Sequence, residues 1–256
     1  MGLATFKGGV HPYEGKELSE NKPTQVLVPK GDMVYPMSQH IGAPAAPLVK
    51  KGDKVLAGQK IGEASGFISA NVICSVSGTV KAVEPRRVAN GAMVNSIVVE
   101  NDGAYQTVEG LGTDRDPAQL SKQEIRDIVK EAGIVGLGGA GFPTHVKLTP
   151  KDENAIEYVL VNAAECEPYL TSDYRMMLEE PEKLVGGLKV MLQLFEKAKG
   201  VIGIENNKPE AIKKMQELVK DEPRIEVCEL QTKYPQGGER SLINAITGRK
   251  VNSSML

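Results

Sequence analysis

The 256-residue chain has no tryptophan, three cysteines, three histidines and only 4% aromatic residues. It also lacks any run of about 18 consecutive apolar residues, so no segment reads as a membrane-spanning helix. Cys74, Cys166 and Cys228 lie far apart with no C-x-x-C, which excludes a disulfide framework and any zinc or iron–sulfur site built from a local run. A reducing, cytoplasmic setting is expected. His11, His40 and His145 share no i, i+4 spacing and no H-E-x-x-H, so they are expected in surface or structural roles and no metal site is predicted. The amino terminus has no apolar signal core, because Lys7, His11 and Glu14 arrive too early, and Phe6 stands where a myristoylation signal needs Ser or Thr. Basic runs stop at pairs such as Lys50-Lys51 and Arg86-Arg87, and 31 Lys+Arg against 33 Asp+Glu give a net charge of −2. No footprint for nucleic acid follows, and membrane association would be peripheral.

What is abundant is glycine, 27 of 256 residues, against an average near 7%. Fifteen fall in residues 1–116, and five of the other twelve lie between Gly133 and Gly141. With 41% hydrophobic and 25% charged residues the chain is an ordinary folded protein of one or two domains. Up to about residue 116 it reads as short β-like runs, Gln25–Val28, Val55–Gln59, Val72–Val76, Thr79–Val83 and Ser96–Glu100, divided by glycine and proline turns. From Ser121 the rhythm changes. Ser121-Lys122-Gln123-Glu124 is a capping box, and Ile125, Ile128, Val129 and Ala132 follow at helical spacing until Gly133 ends the helix. Strands at Ile156–Val161, Val201–Ile204 and Ile225–Leu230 then alternate with helices carrying Leu184, Leu188, Leu192 and Ile212, Met215, Val219. This alternation predicts a parallel sheet with ligands at the carboxyl ends of its strands. The expected domains are therefore 1–116, all β, and 117–256, α/β.

Within the first, LVKKGDKVLAGQKIGEA at 48–64 and ICSVSGTVKAVEP at 73–85 resemble the flattened barrel of lipoyl and biotinyl carrier domains. The tip between them, Gly66 to Asn71, has no lysine to carry a swinging arm, so a docking or spacer module is expected.

Residues 136–144 read GLGGAGFPT, so Gly136, Gly138 and Gly141 satisfy G-x-G-x-x-G. A helix precedes the loop where a dinucleotide fingerprint needs a strand, and Phe142-Pro143 replaces the Lys and Ser/Thr of a Walker A loop. Without Cβ atoms, Gly136, Gly138, Gly139 and Gly141 let backbone amides converge on an anion or lie against an aromatic ring system, with Lys147 adding a positive charge. An elaborate helix-terminating turn is the other reading. Asn162, Glu165 and Glu167 fall just beyond the first parallel strand, and Tyr234, Gly237, Gly238 and Glu239 open the last helix after the third strand, so both segments are expected at the ligand edge. No G-x-S-x-G and no Cys-His or His-Asp pairing supplies an activated nucleophile, so the chemistry has to come from a bound cofactor.

These stretches, FKGGVHP at 6–12, SGTV at 77–80, GLGGAGFPT, VNAAECEPY at 161–169, GIENNKP at 203–209 and KYPQGGE at 233–239, resemble the RnfC family, one subunit of the Rnf ion-pumping electron-transport complex. That family is itself similar to the flavin-bearing, NADH-oxidising subunit of respiratory complex I. The resemblance implies a barrel-sandwich β domain followed by a Rossmann-like α/β domain, non-covalent FMN, and NADH as hydride donor, with no catalytic acid or base. By motif position, Gly136, Gly138, Gly139, Gly141 and Lys147 would cradle FMN, and Phe142 would stack on a nicotinamide or adenine ring. Asn162 and Glu165 would face the ribityl chain and ring, Glu167 and Glu239 would bind NADH, and Tyr234, Gly237 and Gly238 would close the site. His145 stands where the family commonly has glycine, which adds bulk beside that site. The implied partners are the other subunits of a membrane complex, with ferredoxin reached through them, and the implied location is the cytoplasmic face of the membrane. Family members continue into a β-grasp module and a domain with two 4Fe-4S clusters, so the chain is expected to be an amino-terminal fragment unable alone to complete electron transfer. Two other readings are a module serving a soluble corrinoid or amino-acid reductase, and a non-catalytic docking module.

Overall fold

The computed structural model describes residues 2–252 and divides into two compact units. One unit runs from Leu27 to Lys151, and the other joins residues 1–26 to residues 152–256. A boundary near residue 116 falls inside the first of these, which carries on through the capped helix and the glycine loop.

In the 27–151 unit, β1 (Asp32–Pro36), β3 (Lys54–Val55), β6 (Gly78–Arg87) and β7 (Met93–Asn101) form one antiparallel sheet in the order β1-β7-β6-β3. A second contains β2 (Ala46–Pro47), β4 (Lys60–Glu63) and β5 (Val72–Ile73) in the order β2-β4-β5. Alternate residues of both sheets, among them Tyr35, Val55, Ile61, Val72, Val80, Ile97 and Val99, meet in one buried cluster, which is the barrel-sandwich arrangement. Gly78 in the SGTV stretch shows why a glycine is needed there, since a Cβ would stand 2.0 Å from the carbonyl oxygen of Glu100 on β7. The expected strand at Gln25–Val28 does not form: Val26 and Leu27 are 90% and 91% exposed, and apolar β-branched composition without a pairing partner makes no strand. Val55–Gln59 is strand only at Val55, with an isolated bridge from Ala57 to Thr107, and the next strand begins at Lys60.

Helix α1 (Lys122–Glu131) starts as its sequence demands, with the Ser121 side chain accepting from the Glu124 amide and the Glu124 carboxylate accepting from the Ser121 amide at 2.8 Å. It ends before Gly133, whose φ of +65° and closeness to the Asn71 carbonyl leave no room for a side chain. The glycine loop follows, and then the single turn α2 (Thr144–Lys147), held from below by the buried Arg126, which donates to the Leu148 carbonyl at 2.9 Å.

The other unit is a parallel sheet in the order β10-β9-β8, from β8 (Tyr158–Ala163), β9 (Lys199–Glu205) and β10 (Ile225–Leu230). β9 is central, and all its residues after Lys199 are buried, as expected of a strand covered on both faces. Gly200 and Gly203 point to opposite faces and admit Leu188 of α4 (Pro181–Leu194) on one side and Leu242 and Ile246 of α6 (Glu239–Thr247) on the other. Helices α3 (Ser172–Glu179) and α5 (Pro209–Val219) complete the α/β layer.

The amino-terminal segment belongs to this unit. Ala4 pairs in parallel with Leu230, exchanging bonds with the Glu229 carbonyl and the Gln231 amide at 3.1 and 2.9 Å, and Val10 pairs with Tyr234 through two 2.8 Å bonds. Gly9 makes that approach possible: a Cβ would stand 2.8 Å from the Tyr234 carbonyl oxygen. Three of the glycines expected to turn a β domain, Gly8, Gly9 and Gly15, thus shape a strap along the α/β sheet instead.

Candidate functional site

The glycine loop projects from the 27–151 unit. Its neck is closed where the Gly136 amide donates to the Phe142 carbonyl at 2.8 Å and the Thr144 amide to the Ile134 carbonyl at 3.0 Å. Gly141, with φ +59°, packs so closely on Gln39 and His40 that a Cβ would lie 2.7 Å from the Gln39 oxygen, while the Ile41 amide donates to the Ala140 carbonyl at 3.0 Å. The tip is bare. Gly136 to Ala140 are exposed, and a Cβ on Gly138 or Gly139 would meet nothing within 4 Å. Gly141 therefore serves the fold, and Gly139, with φ +102°, is required by its backbone conformation, whereas Gly138 presents uncovered backbone that neither packing nor a positive φ explains. Phe142 is half-buried and Lys147 exposed, and burial together with Lys130 lowers the pKa of His145 below its ordinary 6.5.

Asn162, Glu165, Glu167, Tyr234, Gly237, Gly238 and Glu239 belong to the other unit and gather at the carboxyl edge of its sheet. Asn162 closes β8 and donates to the Gly237 carbonyl at 2.8 Å, while the Gly237 amide donates to the Cys166 sulfur at 3.1 Å. Those two bonds fasten the segment after β10 to the loop after β8. Burial raises the Cys166 thiol pKa above its usual range. Glu167 and Glu239 are exposed, and Tyr234 is 38% exposed and joined to Pro235 by a cis peptide. Glu165 is buried, with φ +52°, and its carboxylate accepts from the Asp173 amide at 2.6 Å and the Tyr174 amide at 3.3 Å. It thereby caps α3, whose preceding Thr171 makes no side-chain cap. Burial raises its pKa, opposed by the Asp173 amide and by Lys208 and Lys16.

Beneath this edge lies a buried ionic cluster of Lys16, Lys208, Lys233, Glu205 and Gln236, to which residue-by-residue reading of the sequence assigns nothing. The Lys208 ammonium, 2% exposed, donates to the Ala164 carbonyl at 2.8 Å and to Asn207 Oδ1 at 2.9 Å, and stands 3.6 Å from Glu205 Oε2. Desolvation pushes the Lys208 pKa down and that of Glu205 up, each held back by the other's charge. Lys233 donates to the Phe6 carbonyl at 2.5 Å, with its ammonium 4.1 Å from the centre of the Phe6 ring. Glu205 Oε2 and Gln236 Nε2 are buried without a hydrogen-bond partner. A cavity of about 30 Å³, lined by residues including His11, Glu14, Cys166 and Glu205, has room for about two waters. The signal was present in GIENNKP and KYPQGGE, which contain Glu205, Lys208, Lys233 and Gln236, but a lysine is ordinarily assumed to be solvated. Among the described residues no three His, Cys, Asp or Glu side chains form a metal-ion site, and no helix is long and apolar enough to cross a membrane.

Residues 129–256 match the Nuo51 FMN-binding domain, and residues 4–104 match the RnfC barrel sandwich hybrid domain. The chain belongs to the RnfC family. It is 45% identical, over 99% of its length, to a subunit of the proton-translocating ferredoxin:NAD(+) oxidoreductase complex of Clostridium ljungdahlii, covering 55% of that protein. It is 47% identical over 98% of its length to the corresponding subunit of the Na(+)-translocating ferredoxin:NAD(+) oxidoreductase complex of Acetobacterium woodii, covering 57%. With its counterpart in the ion-translocating oxidoreductase complex of Vibrio cholerae it shares 36% identity over 97% of its length, covering 32%. The chain thus spans about half the length, or less, of the curated RnfC relatives it matches. The fold agrees with the family: a barrel-sandwich β domain and a Rossmann-like α/β layer. FMN is the cofactor of the domain matched over residues 129–256. The residues present fit it, for the Gly138–Gly139 backbone is open to a flat ring or an anion, and the loops after β8 and β10 are tied together with polar groups exposed.

Proposed function

We propose that this chain is the flavin-bearing part of an electron-transfer subunit, binding FMN non-covalently and exchanging a hydride with NADH. The observation that carries the reading is the exposed Gly138, which neither packing nor a positive φ requires to be glycine, inside a stretch that matches an FMN-binding domain. The backbone of Gly136, Gly138, Gly139 and Gly141, with Lys147, holds FMN. Phe142 offers a ring for the nicotinamide or adenine, and Asn162 and Glu165 shape the ribityl side, Glu165 through the loop it anchors. Glu167 and Glu239, both exposed, hydrogen-bond the nucleotide, while Tyr234, Gly237 and Gly238 close the flavin side. When bound, FMN accepts the hydride; the residues contribute binding, orientation and exclusion of water, and none serves as acid or base. The names of the relatives, which pair ferredoxin with NAD(+) in ion-translocating complexes, support a place beside other subunits at the cytoplasmic face of a membrane. Onward transfer to iron–sulfur centres requires ligands beyond the three cysteines, so these residues perform the flavin side of the reaction only. As inherited modules, residues 1–116 and 117–256 are the natural division, distinct from the compact units into which the chain packs.

Titration of the purified chain with FMN, followed by quenching of flavin fluorescence, tests the reading, and bleaching of the bound flavin by NADH under anaerobic conditions tests the donor. Saturable quenching followed by bleaching is expected. The absence of quenching at millimolar FMN overturns the flavin reading, and quenching without bleaching overturns NADH as donor.

A further inference from the structure

The loop that follows β8 is held from behind by two internal cations. Lys16, 7% exposed, spends its three ammonium protons on the carbonyls of Glu165, Glu167 and Leu170 at 2.8, 3.1 and 2.7 Å. Lys208 takes the neighbouring Ala164 carbonyl at 2.8 Å. The peptides joining Ala164, Glu165 and Cys166 are trans, so a carbonyl turned toward an ammonium turns the following amide the other way. The N–H groups of Glu165 and Cys166 therefore face away from the lysines. Glu165 is also held in the left-handed region, at φ +52°, which a side-chain-bearing residue keeps only where its surroundings over-determine it. Here they do so through the two ammonium groups and through the bonds from its carboxylate to the first turn of α3.

We propose that Lys16 and Lys208 are positioning residues for the flavin site: an internal pair of ammonium groups that grips the 164–170 loop by its carbonyls and presents the Glu165 and Cys166 amides to acceptor atoms of the cofactor. The inference rests on the FMN reading for the ligand, and on geometry alone for the loop. Its unusual element is Lys16. That residue lies in the stretch matching the barrel-sandwich domain, yet its side chain builds the α/β unit's ligand edge, so the strap of residues 2–20 is part of the cofactor site and not a leader to the β domain. Three carbonyls around one ammonium also make a cradle for any small cation. Removing the lysine stem leaves a space matched to a primary alkylammonium ion.

The test is Lys16→Ala with chemical rescue, using two readouts. FMN affinity is measured by fluorescence quenching. The rate of Cys166 alkylation by iodoacetamide is measured by peptide mass spectrometry without flavin, because that thiol is buried and held by the Gly237 amide. Lys16→Ala is expected to weaken FMN binding at least tenfold and to accelerate alkylation by a similar factor. n-Propylammonium chloride should reverse both in large part, and tetramethylammonium at equal ionic strength should reverse neither. Lys16→Gln, which keeps two donors, should fall between wild type and Lys16→Ala, and it replaces Lys16→Ala if that variant does not fold. Wild-type affinity in Lys16→Ala overturns the proposal, as does a loss of affinity with alkylation unchanged and no response to the amine. If the wild-type chain binds no FMN while Lys16→Ala still exposes Cys166 reversibly, the flavin reading fails and the clamp stands.

Discussion

Replacing single glycines in the 136–141 loop separates what the fold needs from what a ligand needs. A methyl group at Gly138 meets no atom of the chain within 4 Å, and its φ lies outside the left-handed range. Gly138→Ala should leave thermal stability unchanged or raise it by about 0.4–1 kcal/mol through a stiffer unfolded chain. Gly141→Ala is the internal contrast. Its φ of +59° costs an L side chain about 1–2 kcal/mol, and the clash with Gln39 and His40 adds about 1–3 kcal/mol, so that variant loses several degrees of melting temperature. Binding should sort the other way. If flavin lies against the backbone at Gly138, a methyl group there displaces it from van der Waals contact and lengthens its hydrogen bonds. A tenfold to hundredfold loss of affinity, about 1.4–2.8 kcal/mol, is expected. Far-ultraviolet circular dichroism reports melting, a suitable probe in a chain without tryptophan, and fluorescence quenching reports FMN affinity. Wild-type FMN affinity in Gly138→Ala, or a stability loss equal to that of Gly141→Ala, would refute the reasoning.

Lys208→Met leaves Glu205 buried without its counter-charge and should cost about 3–5 kcal/mol in urea denaturation. The cost should be larger at pH 8 than at pH 5, because Glu205, with its pKa already raised by burial, must then fold protonated; an equal loss at both pH values would contradict this. Ser121→Ala removes the reciprocal cap of α1 and should lower stability by about 1 kcal/mol, with faster hydrogen exchange confined to the first turn of that helix. His145 has a folded pKa below its ordinary 6.5, so its stabilising contribution is complete above that value and is lost as pH falls through the folded pKa. His145→Asn should therefore flatten the decline in melting temperature below pH 6.5, and an unchanged profile would show that the imidazole plays no part in it.

The α/β layer was legible because its signals are local. The apolar run of β9 and the helical stripes of α4 and α5 each state their conformation within a dozen residues, and the sheet follows from their alternation. The carboxyl-edge segments were legible for the same reason, since strand ends point to ligands. The strap at residues 2–20 was not. Its bonds run to Glu165, Glu229, Gln231 and Tyr234, more than a hundred residues away, and its glycines look like any turn-rich β composition. Gln25–Val28 failed in the opposite sense, carrying strand composition with no strand beside it. The buried lysines escaped because burying an ammonium is justified only by acceptors that the fold itself assembles.

The pairing of Ala4 with Leu230 also sets a timetable. Residues 27–151 emerge from the ribosome in one piece and can fold as they appear, whereas the strap must wait for β10. At ~5–20 residues per second, the roughly two hundred residues between them take about 10–40 s to make. Through that interval the backbone of Ala4 and Val10 has no partner, and the α/β unit cannot close until its last strand is synthesised. A slowed or interrupted translation therefore leaves the strap's amides and carbonyls unpaired while the 27–151 unit can already be complete.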